Sequence, residues 1–489
     1  MKKNYLYNFT ITLPSTLSAI LKKINNNEKG LVFVVDKNMI LKGSISDGDI
    51  RRKILLKGNT NKLVSYQSSV VNKKPIFLKS NTSVENILIK LNEGSKTKNI
   101  NCLPLIDDKR KVVDISTKNK TRRYPLAEPT LGSEELKNVI YAVKSGWISS
   151  RGAYIQMFEK SFEKYLKGGH AVAVSNGTVA LQVALTALGI KKNDEVIVPN
   201  FTFGASINAI INSGAKPVIA DVSLDNWTLD IKDLKKKISK KTKAIMPVHI
   251  YGQPCQIDEI KKIAKEKKLL IIEDSAEALG ATYKNRLVGL DGDCSCFSFF
   301  ANKTITTGEG GMAVFKKKEV AQKARILINQ GLSEEKKYYH NYVGSNYRLT
   351  NIQAGIGVAQ LEKIGGFLKN RKNIFKVYDQ AFKNIESIKL LPKNNWSTNS
   401  YWLYTLVINN LGRLKRDQLI QNLQNLGVEC RPGFFCLSDM RPFRKFAKGK
   451  FSNSRFLSEN SISLPSTNLT TGNQKFIIKN FILEFSKKK

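Results

Sequence analysis

The sequence has few of the residues that build metal sites, disulfide frameworks and membrane anchors. Its 489 residues include six cysteines and three histidines. Cys294-Ser-Cys296 is spaced too closely for the usual zinc or redox pairs, and no second pair accompanies it. No apolar run approaches the roughly 18 residues that span a bilayer, and the basic N-terminus lacks the pattern of a signal peptide. These absences predict a cytoplasmic protein without disulfides, bound metal or a membrane partner.

Acidic residues are also scarce, at 40 against 80 basic ones, which gives a net charge of +40. Such an excess suits either a nucleic-acid-binding protein or an enzyme whose field attracts an anionic small substrate. Residues 1–120 carry 23 basic and 9 acidic side chains, and the remainder is basic as well, so no single domain concentrates the charge. No arginine-rich tail or aromatic RNA-binding signature is present. General lysine enrichment is the preferred interpretation, and nucleic-acid binding is the alternative.

The length predicts about three domains, and three regions differ in pattern. Residues 1–120 contain two similar short units, each a helical stretch followed by apolar strands, which indicates an internal duplication of roughly 65–70 residues. A polar linker, Ser116–Arg123, precedes the central region, 121–367. Residues 368–489 mix helical and strand patterns and suit a smaller α/β domain. The helical stretches of the duplicated units are Leu17–Ile24 and Val84–Leu91, and their strands include Leu31–Val35 and Cys102–Ile106.

The central region alternates apolar runs with amphipathic helical stretches. Continuous apolar runs are typical of strands buried on both faces, so the pattern predicts an α/β domain with a largely parallel sheet. The runs are Ala171–Val174, Glu195–Val198, Pro217–Ala220, Ala244–Val248 and Leu269–Ile272.

Three strand ends in this region carry groups that could take part in catalysis or ligand binding. Lys303 follows an apolar strand and precedes the glycine-rich Gly308-Glu-Gly-Gly311, while Asp274 ends another strand. A third strand runs through Ser175-Asn-Gly-Thr178 into a helix, a junction that offers N–H groups to a phosphate. A lone lysine, a buried carboxylate and a phosphate cradle together match what pyridoxal phosphate (PLP) requires. Taken singly, each element is more often structural than functional.

These residues match a known family in order and spacing. The segment from Pro125 to about Gln360 resembles the sugar aminotransferases of the DegT/DnrJ/EryC1/StrS family, and within it the perosamine synthase-like members. The matching motifs are Ser145–Ser150, Ser175–Leu181, Asp194–Pro199, Thr202-Phe203, Val248–Gly252, Glu273–Gly280, Asn302–Gly311 and Asn346–Asn351.

The resemblance implies a fold-type-I PLP enzyme and assigns roles to single positions. Lys303 would be the Schiff-base lysine and the proton carrier, and Asp274 would pair with the pyridinium nitrogen. Ser298, Gly177 and Thr178 would bind the cofactor phosphate, and Phe203 would stack on the ring. Further implied contacts are Glu277 (where many relatives have Gln) at the phenolic oxygen, Asn346 at the cofactor of a partner subunit, and Arg431 and His340 at the substrate. For His340 and His249 a structural role is the preferred interpretation.

The implied reaction transfers an amino group, by family resemblance from glutamate, to a keto-deoxy sugar nucleotide such as GDP-4-keto-6-deoxymannose, for surface polysaccharide or glycoconjugate biosynthesis. The working unit would be a homodimer with shared active sites. GDP, UDP and dTDP sugars, and the 3-keto and 4-keto positions, all stay open. The alternatives are a catalytically silent PLP-family regulator and a basic nucleic-acid-binding protein.

Residues 1–120 resemble a pair of CBS domains. The run Gly43-Ser-Ile-Ser-Asp-Gly-Asp-Ile-Arg-Arg52 is similar to one found in CBS pairs fused to some sugar nucleotidyltransferases. The resemblance implies that Ser46 and Asp49 hold the ribose of an adenine nucleotide, with Arg52 near phosphate. The second unit lacks the matching glycine and acid, so at most one nucleotide site per chain is expected. A pair that only packs or dimerises is the alternative.

Overall fold

The computed structural model describes residues 2–57, 63–80, 82, 86, 87, 89–91, 101–117 and 124–487. The predicted linker from residue 118 to 123, and positions 84, 85 and 88 of the second predicted helical stretch, lie outside the described residues. The chain divides into two compact units: 1–124 with 421–429, and 125–420 with 430–489.

The first unit contains two three-stranded sheets and helices packed on them. Its helices are α1 (Lys2–Phe9), α2 (Leu17–Asn27) and α3 (Asp47–Lys57), and its strands are β1 (Thr10–Thr12), β2 (Ser15–Thr16), β3 (Leu31–Val35), β4 (Leu41–Ser46), β5 (Leu63–Val64), β6 (Leu78–Lys79), β7 (Cys102–Ile106) and β8 (Val112–Thr117). The sheet orders are β1-β3-β4 and β6-β7-β8, and β2 pairs with β5. In each three-stranded sheet the first pair is parallel and the second antiparallel.

The two sheets repeat one design at a spacing of 71 residues. Leu31 pairs with Ser46 in the first hairpin, and Cys102 pairs with Thr117 in the second. The turns are built alike, since Asp36 Oδ1 accepts the N–H groups two and four residues on, at 2.9 Å, and Asp107 Oδ1 does the same at 3.0 and 2.9 Å. The internal duplication predicted from sequence is therefore present in the backbone.

The two turns also bond to each other reciprocally. The N–H of Leu41 donates to the carbonyl of Arg110 at 3.0 Å, and the N–H of Val112 donates to the carbonyl of Met39 at 2.8 Å. Both donors and both acceptors are 71 positions apart, so the repeats are related by an approximate two-fold axis. Apolar side chains of both repeats, including Phe33 and Ile106, share one core there.

The second unit is built on a seven-stranded sheet. Its strands are β9 (His170–Val174), β10 (Glu195–Pro199), β11 (Lys216–Ala220), β12 (Thr242–Ile245), β13 (Leu270–Asp274), β16 (Cys294–Ser298) and β17 (Gly311–Phe315), in the order β11-β10-β12-β13-β16-β17-β9. All neighbours are parallel except β17, which is antiparallel to both strands beside it. The predicted largely parallel sheet is confirmed.

Each face of this sheet has its own apolar core. Alternate residues of β9 divide between them, with Val172 and Val174 in one core and Ala171 and Ala173 in the other, as the two-residue period of a strand requires. The helices up to residue 382 are α4 (Ser133–Lys144), α5 (Ala153–Leu166), α6 (Gly177–Ala187), α7 (Ala205–Asn212), α8 (Ile231–Lys237), α9 (Ile257–Lys267), α10 (Lys318–Ile328), α11 (Asn351–Glu362) and α12 (Ile364–Phe382).

Smaller sheets complete the chain. The strands β14 (Thr282–Tyr283), β15 (Arg286–Leu287) and β19 (Ser397–Thr398) form one, and β18 (Ile388–Lys389), β20 (Tyr404–Ile408), β21 (Arg431–Pro432) and β22 (Ser461–Leu464) form another; the last helices are α13 (Gly412–Asn425), α14 (Ser452–Asn460) and α15 (Thr471–Ser486). The predicted domain boundaries, after residues 120 and 367, stay predictions; the second falls inside α12. Among the described residues, no helix combines the length and apolarity needed to cross a bilayer.

Candidate active site

A cleft of about 660 Å³ opens at the carboxyl ends of β9, β13 and β16. Parallel strands place their carboxyl ends at one edge of a sheet, where α/β proteins bind ligands. The cleft brings together eight of the predicted site residues, from segments more than 250 positions apart in sequence. They are Gly177, Thr178, Phe203, Asp274, Glu277, Ser298, Lys303 and Arg431.

Lys303 lies in the loop after β16, with its amine inside the cleft. Its Nζ is 3.9 Å from Oε1 of Glu277 and 3.9 Å above the ring centroid of Trp402. Burial lowers the pKa of Lys303, and the negative charges of Glu277 and Asp274 oppose that effect. A buried amine with a lowered pKa gives up its proton more readily than a surface lysine, as a nucleophile or proton carrier must.

Asp274 is buried at the end of β13 and its carboxyl is held from two sides. Ser206 Oγ, on α7, donates to Oδ2 at 2.7 Å, and the N–H of Ala276 donates to Oδ1 at 3.2 Å. Burial raises the pKa of Asp274, and the hydrogen bond from Ser206 opposes the rise. A fixed, desolvated carboxyl of this kind gains most from a cationic partner, such as a protonated pyridine nitrogen.

The start of α6 forms a cradle for an anion. Asn176 caps the helix by accepting the N–H of Val179 at 2.9 Å, and Asn176, Gly177 and Thr178 line the cleft. The first N–H groups of a helix have no partner within the helix. A Cβ added to Gly177 would lie 2.7 Å from Cβ of Ser298, and one added to Gly311 would lie 2.5 Å from the carbonyl of Asn176. Any larger residue at either glycine would clash with these neighbours. The N–H groups at the start of α6 and the nearby Ser298 hydroxyl can donate to a phosphate.

Phe203 supplies an uncovered aromatic face on the same cleft. Its side chain is 62% exposed, although the neighbouring Phe201 and Thr202 are buried. Its one close ring neighbour among the described residues is Phe434, at 6.0 Å between centroids. An exposed ring beside a buried carboxylate, a buried amine and an anion cradle fits a planar, phosphorylated, cationic heterocycle, and PLP has all three properties.

Glu277 is the second buried carboxyl of the cleft. Its Oε2 accepts the N–H of Tyr251 at 2.7 Å. Burial raises its pKa to about 7, against the lowering effect of the Lys303 charge. Near neutral pH this side chain can therefore donate a hydrogen bond as well as accept one.

The raised pKa of Glu277 predicts a pH-dependent stability. The folded apoprotein keeps this proton above the ordinary value of 4.5, so the associated stability is present below that pH and is lost as the pH rises through about 7. Glu277→Gln removes this titrating carboxyl. The Tm of the variant minus the Tm of the parent should therefore be a few degrees larger at pH 8 than at pH 5. Differential scanning fluorimetry measures this. Glu266→Gln, on the exposed side of α9, is the control, and an identical pH trend in both variants would contradict the prediction.

Two predicted residues do not line this cleft. Asn346 pairs with Asn329 through a backbone bridge, and His340 bonds the carbonyl of Gln330 through Nδ1 at 2.8 Å. Both lie between α10 and α11, on a stretch whose side chains Tyr338 and Val343 are strongly exposed. His249 is buried and bonds Glu273 at 3.1 Å, and it accepts the N–H of Cys255 at 3.0 Å, so both ring nitrogens have partners within the protein. Its structural role stays a prediction.

In the first unit, Ser46 and Asp49 contact each other at the start of α3. Ser46 Oγ donates to Asp49 Oδ2 at 2.6 Å, and the N–H of Asp49 donates to Ser46 Oγ at 3.2 Å. Arg52 donates to the other carboxylate oxygen at 2.6 Å. The three side chains form a helix cap with an ion pair, and they lie on one turn.

Two residues that contact the predicted site residues were missed by sequence reasoning. Ser206 holds Asp274, and Trp402 lies under Lys303, yet neither was predicted. Ser206 lies only a few residues beyond the Thr202-Phe203 motif, which was a usable signal. Trp402 lies about 100 residues beyond Lys303 and has no local pattern around it that marks a site.

Comparison with known proteins agrees with this geometry. A sequence model of the DegT/DnrJ/EryC1/StrS aminotransferase family matches residues 129–481. The GDP-perosamine synthase of Vibrio cholerae is 43% identical over 343 residues, which are 70% of this chain and 93% of that protein. The GDP-perosamine synthase of Escherichia coli O157:H7 is 41% identical over 363 residues, 74% and 98% of the two chains.

Solved structures give the same picture. Spr1654 of Streptococcus pneumoniae, a candidate sugar aminotransferase known in PLP and PMP forms, superposes with a TM-score of 0.72 at 28% identity; its PMP form covers 75% of this chain and 98% of its own. The aminotransferase PseC of Helicobacter pylori gives 0.72 at 26% identity, covering 75% and 100%. The fold is that of fold-type-I PLP enzymes, the cofactor is PLP, and the chain belongs to the DegT/DnrJ/EryC1/StrS aminotransferase family.

Proposed function

We propose that this protein transfers the amino group of glutamate to the 4-keto carbon of GDP-4-keto-6-deoxymannose, in the cytoplasm, for surface polysaccharide or glycoconjugate biosynthesis. The observation that carries the proposal is the convergence of Lys303, Asp274 and the start of α6 in one cleft. The nucleotide and sugar rest on the 41–43% identity to GDP-perosamine synthases. Retention of the lysine and both carboxyls argues against a catalytically silent regulator.

The residues of the cleft divide the work of such a reaction. PLP, when bound, would supply an electron sink for the breaking of a substrate C–H bond. Lys303 Nζ would take and return the proton, Asp274 would keep the pyridine nitrogen protonated, and Glu277 would bond the phenolic oxygen. Gly177, Thr178 and Ser298 would hold the phosphate, and Phe203 would cover the ring. Arg431, at the cleft wall, supplies positive charge for an anionic sugar nucleotide.

A panel of substrates tests the proposed reaction. The holoenzyme is incubated with glutamate and one of several keto sugars linked to GDP, UDP or dTDP, with the keto group at carbon 3 or 4. Mass spectrometry should find an amino sugar and 2-oxoglutarate in equal amounts with the GDP-linked 4-keto-6-deoxy sugar, at a kcat/KM at least tenfold above the others. Equal activity on a dTDP or UDP sugar would contradict the nucleotide assignment. No amino transfer to any of them would contradict the function.

We also propose a homodimer in which Asn346 serves the partner's active site. Asn346 does not line the cleft of its own chain, so a role at a cofactor requires a second copy. Exposed large apolar side chains that would suit such a copy occur near Asn346 in sequence, on α4 and just after it. They are Leu136, Tyr141, Trp147, Tyr338, Tyr342 and Val343.

Complementation between two inactive chains tests the shared site. Lys303→Ala and Asn346→Ala homodimers should each be impaired, whereas a mixed dimer regains one intact site and thus up to half the activity of a parental dimer. The mixed dimer is prepared by co-expression with two affinity tags. Lys303→Ala paired with Asp274→Ala provides the matched control, since both residues lie in the cleft of one chain. No recovery in the Lys303→Ala and Asn346→Ala pair, or equal recovery in both pairs, would contradict the sharing of Asn346.

For residues 1–120 we propose a CBS pair that binds an adenine nucleotide in its first repeat and biases the aminotransferase. The 71-residue repeat and the reciprocal bonds between the turns support a pair of related modules. Ser46, Asp49 and Arg52 offer hydroxyl, carboxylate and guanidinium groups on one turn. In the second repeat Thr117 stands at the position of Ser46, but Lys120 stands at that of Asp49, so one site per chain is expected.

Calorimetry on the full-length chain tests this site. AMP, ADP, ATP and S-adenosylmethionine are titrated, and one of them should bind with a millimolar or lower Kd. Asp49→Ala should weaken binding about 10–100-fold, because a hydrogen bond to a charged group contributes roughly 1.5–3 kcal/mol. Thr117→Ala, in the second repeat, should bind as the parent does. No binding of any of the four would leave the pair as a structural module.

A further inference from the structure

Trp402 is fixed to the lysine loop by three contacts. Its indole N–H donates to the carbonyl of Asn302 at 2.9 Å. Its own carbonyl accepts from the guanidinium of Arg371 at 2.5 Å, and the second nitrogen of that guanidinium donates to the carbonyl of Lys303 at 3.1 Å. Arg371 is itself buried. The ring and the backbone of the lysine therefore have a defined relative position.

The indole face lies directly beneath the amine. Lys303 Nζ is 3.9 Å from the ring centroid, well within the range of a cation–π contact. The ring also stacks on Tyr251, at 6.1 Å between centroids and 18° between planes. Trp402 is 4% exposed, so the contact is shielded from water and is stronger than one at a surface.

We propose that Trp402 is a positioning residue, whose indole face holds the ammonium group of Lys303 in the cleft whenever the lysine is not covalently bound to the cofactor. The proposal rests on the role of Lys303 in the proposed function. A lysine with four rotatable side-chain bonds would otherwise have to find its proton-transfer position anew in each turnover.

The charges around the Lys303 amine explain why contact with the indole ring matters. Glu277 and Asp274 favour the ammonium form, Arg371 disfavours it, and burial disfavours it most. When Glu277 is protonated, Asp274 and the ring are the groups that still favour the ammonium. Trp402 thus adds to the stability of the ammonium form when the charge of Glu277 is absent.

The first test uses the apoprotein and requires no turnover. Lys303 is acetylated with trace acetic anhydride between pH 6 and pH 11, and its peptide is quantified by mass spectrometry against that of the surface residue Lys284. Trp402→Leu should lower the apparent pKa of Lys303 by about one pH unit, since a desolvated cation–π contact contributes roughly 0.5–2 kcal/mol. Trp402→Phe keeps an aromatic face but loses the indole N–H, and should shift it by less than half as much.

The second test uses the holoenzyme. The single-turnover rate with glutamate should fall about tenfold in Trp402→Leu and less than threefold in Trp402→Phe, with cofactor affinity unchanged in both. Should the leucine variant fold poorly, Trp402→Met replaces it. Equal effects of all substitutions, or an unshifted pKa of Lys303 without the ring, would overturn the proposal. Borohydride trapping of cofactor on Lys303 in each variant keeps this outcome separate from a failure of the proposed function.

Discussion

Lys303→Ala is expected to abolish amino transfer while leaving the fold intact. The side chain of Lys303 reaches into the cleft and is not part of the apolar cores, so its truncation leaves no cavity in the packed interior. Loss of the proton carrier alone should reduce kcat by about 10²–10⁴-fold, and loss of the covalent hold on the cofactor adds to this. The measurement is the rate of 2-oxoglutarate formation under saturating substrate.

Controls separate this effect from a general one. The apoprotein Tm of Lys303→Ala should stay within about 2 °C of the parent. Lys284→Ala removes an equally flexible amine, but one that pairs with Asp258 at the surface, and should retain full activity. A Lys303→Ala enzyme with more than a tenth of the parental kcat would contradict the assignment.

Asp274→Asn should reduce kcat/KM by about 10²–10⁴-fold. The carboxylate is buried and held by Ser206 and the N–H of Ala276, so a bound pyridinium has a charge partner that no water can replace. Breaking a buried ion pair by removing one partner costs about 3–5 kcal/mol, which converts to that range of rate at 1.36 kcal/mol per factor of ten. Steady-state kinetics and the absorbance spectrum of the bound cofactor both report it.

Ser206→Ala is the matched control for this substitution. It removes one hydrogen bond to the carboxylate but leaves the charge, so a loss of about tenfold is expected, from roughly 1.5 kcal/mol. A loss in Ser206→Ala equal to that in Asp274→Asn would indicate that placement of the carboxyl, rather than its charge, governs the rate. Unchanged kinetics in Asp274→Asn would remove Asp274 from the cofactor site.

Much of the fold could be predicted from local sequence patterns, and the features that could not be predicted have physical explanations. Apolar runs predicted the parallel strands, because a strand that is buried on both faces has apolar residues at nearly every position. The direction of Gly311–Phe315, antiparallel to both neighbours, was not predicted, since the same apolar run serves either direction. The second predicted domain boundary falls inside α12, which runs without interruption from Ile364 to Phe382.

The candidate site divides in the same way. Lys303, Asp274 and Gly177 lie next to strand ends and glycines, so each was marked by its local sequence, and the sheet brought them together. Ser206, Arg371 and Trp402 contact those residues from other parts of the chain. The Thr202-Phe203 motif beside Ser206 was a usable signal, whereas nothing in the neighbourhoods of Arg371 and Trp402 distinguishes them from ordinary packing. Asn346 was predicted from a motif, but it does not line the cleft of its own chain.

Chemical trapping of the cofactor tests the central claim most directly. The yellow holoenzyme is reduced with borohydride, digested and mapped by mass spectrometry. One peptide should carry the reduced cofactor, with the modification on Lys303, and that peptide should disappear when excess glutamate is added before reduction. A cofactor trapped on any other lysine, or an active holoenzyme in which none is trapped, would contradict that claim.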